Sequence, residues 1–278
     1  MMKFTIARHL SQICILLLFL IGNLGLWAKF GLGEKARILE GDLSTSQVLG
    51  LVHLSDPLAV IQLFLAGFSL SSSVVIGAII VFIFYALIAP RAFCGWVCPV
   101  NLITDLAYYL RQKCDISKNL ANISPKTRYY LLALSLIISA IFGIAAWESV
   151  SFVGSLTRSV VFASSFAVFL SGSFLAIFIA IVAVDMFVGK RFICGHLCPL
   201  GAFYAIISKF SLIRVKYDLD KCTKCGKCKE VCPEISPLAD IGKTSSIVGS
   251  ECISCGRCVE VCNDDALNFS ILNFGGKK

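Results

Sequence analysis

The sequence predicts an all-α polytopic membrane protein, four transmembrane helices in two pseudo-symmetric hairpins, with a small α+β domain at its C-terminus. Three observations predict it: four long apolar stretches, a motif that recurs after one hundred residues, and two evenly spaced cysteine runs. Of 278 residues, 57% are hydrophobic and only 15% charged, far from an ordinary soluble domain. The expected boundary assigns residues 1–210 to the membrane domain and 211–278 to the terminal one.

A hydrocarbon core about 30 Å thick takes about 20 apolar residues to cross as a helix. Leu10–Ala28, Ser73–Ala89, Tyr129–Trp147 and Val168–Val188 meet that length. Pro57–Leu70 and Ser149–Phe166 are weaker, broken by Ser, Gly or a charge, and read as interfacial or re-entrant pieces. Lys3 and Arg8 precede the first span as in a signal peptide, but its apolar stretch is longer than a signal's and no small-x-small cleavage site follows. It reads as an anchor. The N-terminus, the three loops and the tail hold 2, 3, 6, 1 and 13 of the 25 basic residues. That alternation places both termini in the cytoplasm. The net charge of +8 is then a matter of topology, not of a nucleic-acid surface.

The internal repeat lies at the cytoplasmic mouth of the even-numbered spans. Arg91-Ala-Phe-Cys94-Gly-Trp-Val-Cys98-Pro99 returns as Arg191-Phe-Ile-Cys194-Gly-His-Leu-Cys198-Pro199. Proline disfavours helix at the residue before it and suits a first helical turn, so Cys98 and Cys198 mark breaks. After them Val100, Ile103, Leu106 and Leu110, and again Leu200, Phe203, Ile206 and Phe210, recur at helical spacing. Both segments read as amphipathic helices along the membrane surface. Cys94, Cys98, Cys194 and Cys198 are candidates for one converging thiolate site, a third metal site. They also read as a redox-active dithiol pair, or as small apolar packing residues.

The tail carries Cys222-x2-Cys225-x2-Cys228-x3-Cys232-Pro and Cys252-x2-Cys255-x2-Cys258-x3-Cys262-Asn. This is the spacing of two-cluster bacterial ferredoxins, in which the fourth cysteine of each run ligates the other cluster. One [4Fe–4S] cluster then takes Cys222, Cys225, Cys228 and Cys262, and the other Cys252, Cys255, Cys258 and Cys232. Zinc ribbons also use C-x2-C pairs, but four ligands suffice there and the doubled triple spacing is unexplained. A cytoplasmic tail keeps its thiols reduced and available to iron. Cys14 and Cys114 have no partner pattern and read as structural.

Ionisable groups inside spans are functional candidates. Asp185 lies late in the fourth span, roughly 13 Å from Cys194 along a continuous helix. His196 stands where the first corner has Trp96. Quinol gives up two protons with its two electrons, and histidine is tuned to accept one near neutral pH. His196 and Asp185 are therefore quinol-site candidates, with His53, Asp56 and Glu148 as a second set on the opposite face. Arg91 and Arg191 read as anchors at the membrane edge, and Asp105 as a solvated charge.

Phe84-Tyr-Ala-Leu, the stretch from Arg91 through Asp105-Leu-Ala, and Cys255-Gly-Arg-Cys258-Val-Glu-Val-Cys262 resemble the NapH family of membrane ferredoxin-type subunits. The resemblance covers nearly the whole chain. It implies a multi-pass protein of the bacterial inner membrane that oxidises menaquinol or ubiquinol as a quinol dehydrogenase component. It further implies an outer-side iron–sulfur partner of NapG type, with electrons bound for a periplasmic nitrate reductase. Activity is then expected only within a complex. Two other readings stay open. One is a metal-ion or maturation reductase fed by a cytoplasmic ferredoxin or maturation partner, and the other a membrane redox sensor or anchor.

Overall fold

The structure, a computed structural model, describes residues 3–23, 39–48, 50, 52–116, 119–121, 123–161, 172–234 and 236–271. The ends of the expected first span (24–28) and the start of the fourth (168–171) lie outside the described residues, as do Lys29, Lys35 and Arg37 of the first loop. The chain divides into two compact units. One comprises Met1–Ser11, Ile83–Val97 and Gly201–Lys278, the other Gln12–Phe82 and Cys98–Leu200. The cysteine-rich tail thus shares its unit with the start of the first helix and the first corner.

Helices α1 (Lys3–Asn23), α2 (Pro57–Leu65), α3 (Ser72–Leu87), α4 (Val100–Lys113) and α5 (Thr127–Phe142) are followed by α6 (Ala146–Val150) and α7 (Phe152–Val161). Then come α8 (Gly172–Ala183) and α9 (Pro199–Ile207). Among the described residues one helix, Lys3–Gly22, is long and apolar enough by itself to cross a membrane. Ser72–Leu87, Thr127–Phe142 and Phe174–Val188 are apolar but shorter. Helix α5 stops at Phe142, not at Trp147, because Gly143 turns left-handed at φ 64° and Ser139 Oγ accepts the Ala146 N–H at 3.1 Å. Such a glycine is a usual helix terminator. Tyr130, Leu134, Ile137 and Ile141 form an exposed apolar stripe along α5, while Ser135 and Ser139 are buried.

Three antiparallel strands, β1 (Leu39–Gly41), β2 (Thr45–Val48) and β3 (Val52–Ser55), occupy the first loop. The spacing of apolar residues did not announce this sheet, whose strands are short and mostly polar. The tail holds a second sheet in the order β5-β4-β6, with β4 at Ile213–Tyr217, β5 at Ser246–Ile247 and β6 at Leu267–Ile271. Strand β4 pairs Ile213 with Ile271 through to Tyr217 with Leu267. Val215, Tyr217, Leu238, Val248 and Leu267 form its core together with Cys232 and Cys258. Short helices α10 (Lys227–Val231) and α11 (Arg257–Glu260) carry the third cysteine of each run and end before the fourth.

The corners break as their prolines require. Phe93–Val97 and Ile193–Leu197 are single π-helical turns, and Cys198 is extended at φ −79°, ψ 106° before α9 begins. Two expectations are corrected here. Helix α9 does not lie along a surface: Leu200, Ala202, Phe203, Tyr204 and Ala205 are all buried, and only Ile206 and Phe210 of the expected stripe are exposed. Helix α4 buries Val100, Ile103, Thr104, Ala107 and Arg111, leaving Leu106 exposed. Its hidden face includes polar residues because they have partners, which apolar spacing cannot reveal.

Candidate metal centres

Each cysteine run turns on the same backbone. Lys224 and Ser254 take φ 58° and 52°, and Gly226 and Gly256 follow at 79° and 74°. These left-handed turns fold the loop around its first thiol: the Lys224 N–H approaches Cys222 Sγ at 3.3 Å and the Ser254 N–H approaches Cys252 Sγ at 3.4 Å. A cavity of about 160 Å³ is lined by Cys222, Cys225, Cys228 and Cys262. A tighter one, about 10 Å³, is lined by Cys252, Cys255, Cys258 and Cys232. Each cavity therefore takes three thiols from one run and the last thiol of the other. Four thiols are the donor set of a [4Fe–4S] cluster. Among the described residues no three His, Cys, Asp or Glu side chains close on a point as ligands of a single ion would; a cluster fills the space between its thiolates with its own atoms.

The two sites differ in environment. Cys225 is exposed and Cys255 buried. Burial, with Cys255 adding to it, pushes the Cys232 thiol up to about 12, and burial also raises the Cys258 thiol. Without iron these thiols keep their protons at neutral pH, and ligation has to displace them.

The first corner is fastened to the second run. Arg91, 1% exposed and left-handed at φ 44°, donates from Nη1 to Glu234 Oε1 at 2.8 Å and to the Glu251 carbonyl at 3.0 Å. It lies close enough to Cys252 to favour the charged thiolate. The Ser254 hydroxyl donates to the Pro90 carbonyl at 2.8 Å, and Trp96 Nε1 donates to the Ser254 carbonyl at 3.0 Å. A Cβ added to Gly95 would stand 2.2 Å from the Ile253 carbonyl oxygen. Only glycine permits that approach. Cys94 thus belongs to a turn packed on the Cys252–Cys255 loop.

The second corner is built differently. Arg191, 4% exposed and left-handed at φ 50°, pairs with buried Asp105 and donates to Asn101 Oδ1 at 2.9 Å. Neither arginine is a surface anchor and Asp105 is not solvated, because each arginine finds a carboxylate in the interior. Arg128, fully buried, donates to the Gly195 carbonyl at 3.3 Å. Asp185 is 1% exposed and accepts the Ile193 N–H at 2.9 Å. The expected 13 Å run to Cys194 is not a continuous helix. The chain passes through a π turn at Val184–Val188 and an extended Gly189, folding Asp185 back against the corner. His196 stacks on Phe192 with centroids 5.2 Å apart. The Cys194 thiol is raised by burial first and then by Asp185, Cys198 and Cys98, so those four groups share one neighbourhood. Cys94 belongs to the other compact unit.

Of the remaining candidates, Glu148 engages Arg158, which also reaches Asp42 at 2.7 Å, and His53 meets the Gln47 side chain. Asp56 precedes α2 without capping it through its side chain. Cys14 and Cys114 are exposed rather than packed inside. Sequence reasoning missed Trp96, Glu234, Arg128 and the buried pair Arg8 and Arg257. Their partners lie far away in the sequence, so no short-range pattern marked them.

Two thiol-lined cavities on a duplicated loop define a ferredoxin-type iron–sulfur electron-transfer protein. Residues 71–117 and again 170–218 match the 4Fe-4S binding domain family, and residues 214–263 match the 4Fe-4S dicluster domain family. The chain is 40% identical to the ferredoxin-type protein NapH of Haemophilus influenzae, over 85% of this chain and 77% of that protein. It is 36% identical to NapH of Escherichia coli, over 84% and 75%. It is also 36% identical to the methylamine utilization ferredoxin-type protein MauN of Methylorubrum extorquens, over 87% and 80%. No solved structure matches. The chain belongs to the NapH family of ferredoxin-type proteins.

Proposed function

We propose that this protein is a membrane electron-transfer subunit that oxidises menaquinol or ubiquinol and delivers electrons to a partner iron–sulfur protein. The observation that carries the reading is the packing of Pro90, Arg91, Gly95 and Trp96 on the Cys252–Cys255 loop. It joins the family's repeated corner to its cysteine-rich tail. In this reading Cys222, Cys225, Cys228 and Cys262 hold one [4Fe–4S] cluster, and Cys252, Cys255, Cys258 and Cys232 the other. Such a cluster, when bound, supplies a one-electron carrier whose potential follows local charge, hydrogen bonds to sulfur and exposure.

Quinol releases two electrons and two protons. His196 is the proposed proton acceptor, held flat by Phe192, with Asp185 keeping the corner's backbone in place beside it. Cys94, Cys98, Cys194 and Cys198 form the proposed redox corner or third thiolate-bound site. The outward apolar stripe of α5 supports four spans of the bacterial inner membrane, with both termini in the cytoplasm by the distribution of Lys and Arg. The domain division at residue 210 is likewise proposed. An outer-side partner of NapG type and a periplasmic nitrate reductase as the destination are proposed on the resemblance to NapH. Comparable identity to MauN, whose name refers to methylamine utilization, favours a shared delivery device with differing destinations. The open, lysine-rimmed first cavity also favours a second reading, a maturation reductase fed by a soluble partner.

Anaerobic EPR with iron counting, before and after a menaquinol analogue, tests the proposal on wild type and on Cys94→Ser/Cys194→Ser. Signals of two clusters that quinol reduces in wild type and not in the variant are expected. Clusters left oxidised by quinol but reduced by a soluble electron donor would move the maturation reading ahead.

A further inference from the structure

We infer that the mouth of the Cys222/Cys225/Cys228/Cys262 cavity is an electron port for an acidic, soluble electron-transfer protein, docked through Lys224, Lys227 and Lys229. This rests on the proposed function, which supplies the electrons.

The position of the port follows from what covers each site. The second run is enclosed: Ile253, Ser254, Cys255, Gly256, Arg257 and Cys258 are all buried, and its loop is taken up by the first corner. At the first run the equivalent positions Thr223, Lys224, Cys225, Gly226 and Lys227 are all exposed. A Cβ at Gly226 or Gly242, both on the cavity wall, would meet nothing within 4 Å. Electron transfer to a partner needs an approach of this kind, and among the described residues the second site offers none.

The class of partner follows from charge. Lys224, Lys227 and Lys229 line the cavity against a single acid, Asp264. That carboxylate is turned to Thr223, accepting from its N–H at 3.2 Å and its hydroxyl at 2.6 Å. Residues 216–230 hold Lys216, Lys221, Lys224, Lys227 and Lys229 against Asp218, Asp220 and Glu230. Asp218 is itself occupied by the Asp220 N–H at 3.2 Å. Where the enclosed run carries Ser254 and Arg257 inward, the open run carries lysines outward at the same two positions. A partner with an acidic face around its redox centre fits that rim, and long-range attraction would steer it to the mouth.

The test uses full-length protein in detergent, reduced anaerobically with dithionite, freed of excess reductant by gel filtration, and mixed in a stopped-flow cell with an oxidised acidic [2Fe–2S] ferredoxin as probe. Each event moves one electron from this protein to the probe, whose bleaching is followed. Lys224→Gln/Lys227→Gln/Lys229→Gln is expected to slow that transfer roughly tenfold at low salt. Wild type should lose its advantage as salt rises, because exposed charges are screened. Transfer to menadione, a neutral acceptor, should be unchanged, with both [4Fe–4S] signals intact. Equal rates for variant and wild type with the ferredoxin would overturn the port, as would an equal slowing with menadione. Wild type lacking [4Fe–4S] signals altogether would remove the proposed function, and the port with it.

Discussion

At Gly226 of the first cysteine run an added Cβ would meet open space; at Gly256 of the second it would strike the Phe4 ring at 2.7 Å. The two runs share their cysteine spacing, their left-handed turns and the short helix that follows. They differ in what lies against them. The first faces outward with lysines, and the second is closed in by Phe4, Trp96 and Arg91. Identical local geometry thus gives two sites of opposite character. A ligand motif fixes what is bound, and the neighbours decide what can reach it.

The largest effect should come from the buried ion pair that closes the second site. Arg91→Met takes the guanidinium away from the buried Glu234 carboxylate, and breaking a buried pair costs about 3–5 kcal/mol. Chemical denaturation should show that loss, while Arg91→Met/Glu234→Met should recover most of it. If the double variant is no more stable than the single, the pair is not what holds the corner.

Glycine substitutions sharpen the contrast. Gly226→Ala meets only backbone strain, about 1–2 kcal/mol for a left-handed residue. Gly256→Ala adds a collision with Phe4, and overpacking costs about 1–3 kcal/mol more. Thermal unfolding should rank the two in that order. Phe4→Ala in the Gly256→Ala background should relieve part of the difference.

The smallest effect is Trp96→Phe, which removes the bond to the Ser254 carbonyl but keeps an aromatic ring. About 1 kcal/mol is the usual net worth of such a bond. Hydrogen exchange of the Ile253–Cys255 amides should quicken, with no change at Thr223–Cys225.

Much of this was legible beforehand. The cysteine spacing and the hundred-residue repeat are short-range patterns, read without knowing the fold, and the proline after Cys98 and Cys198 locates the breaks. What could not be read was pairing across long separations. Nothing near Arg91 points to Glu234, 143 residues away. The repeat set Trp96 opposite His196 without giving it a role, whereas its indole meets the Ser254 carbonyl. Asp105 sits among residues of an amphipathic pattern, and only the fold brings Arg191 to it. Helix α9 satisfied an amphipathic template by coincidence, being buried on nearly every side.

The Phe4 N–H donates to Glu260 Oε1 at 3.0 Å, and its ring rests on Gly256 and, edge-on, on Phe269 at 5.5 Å. Two residues 256 positions apart in the chain are thereby matched. At about 5–20 residues per second the ribosome needs roughly 10–50 s to bridge them. Throughout that interval Phe4 has neither the Glu260 carboxylate nor the Phe269 ring to meet. Closure of the enclosed site therefore waits on the synthesis of Phe269, and any change that displaces Phe4 would open the surface that covers Gly256.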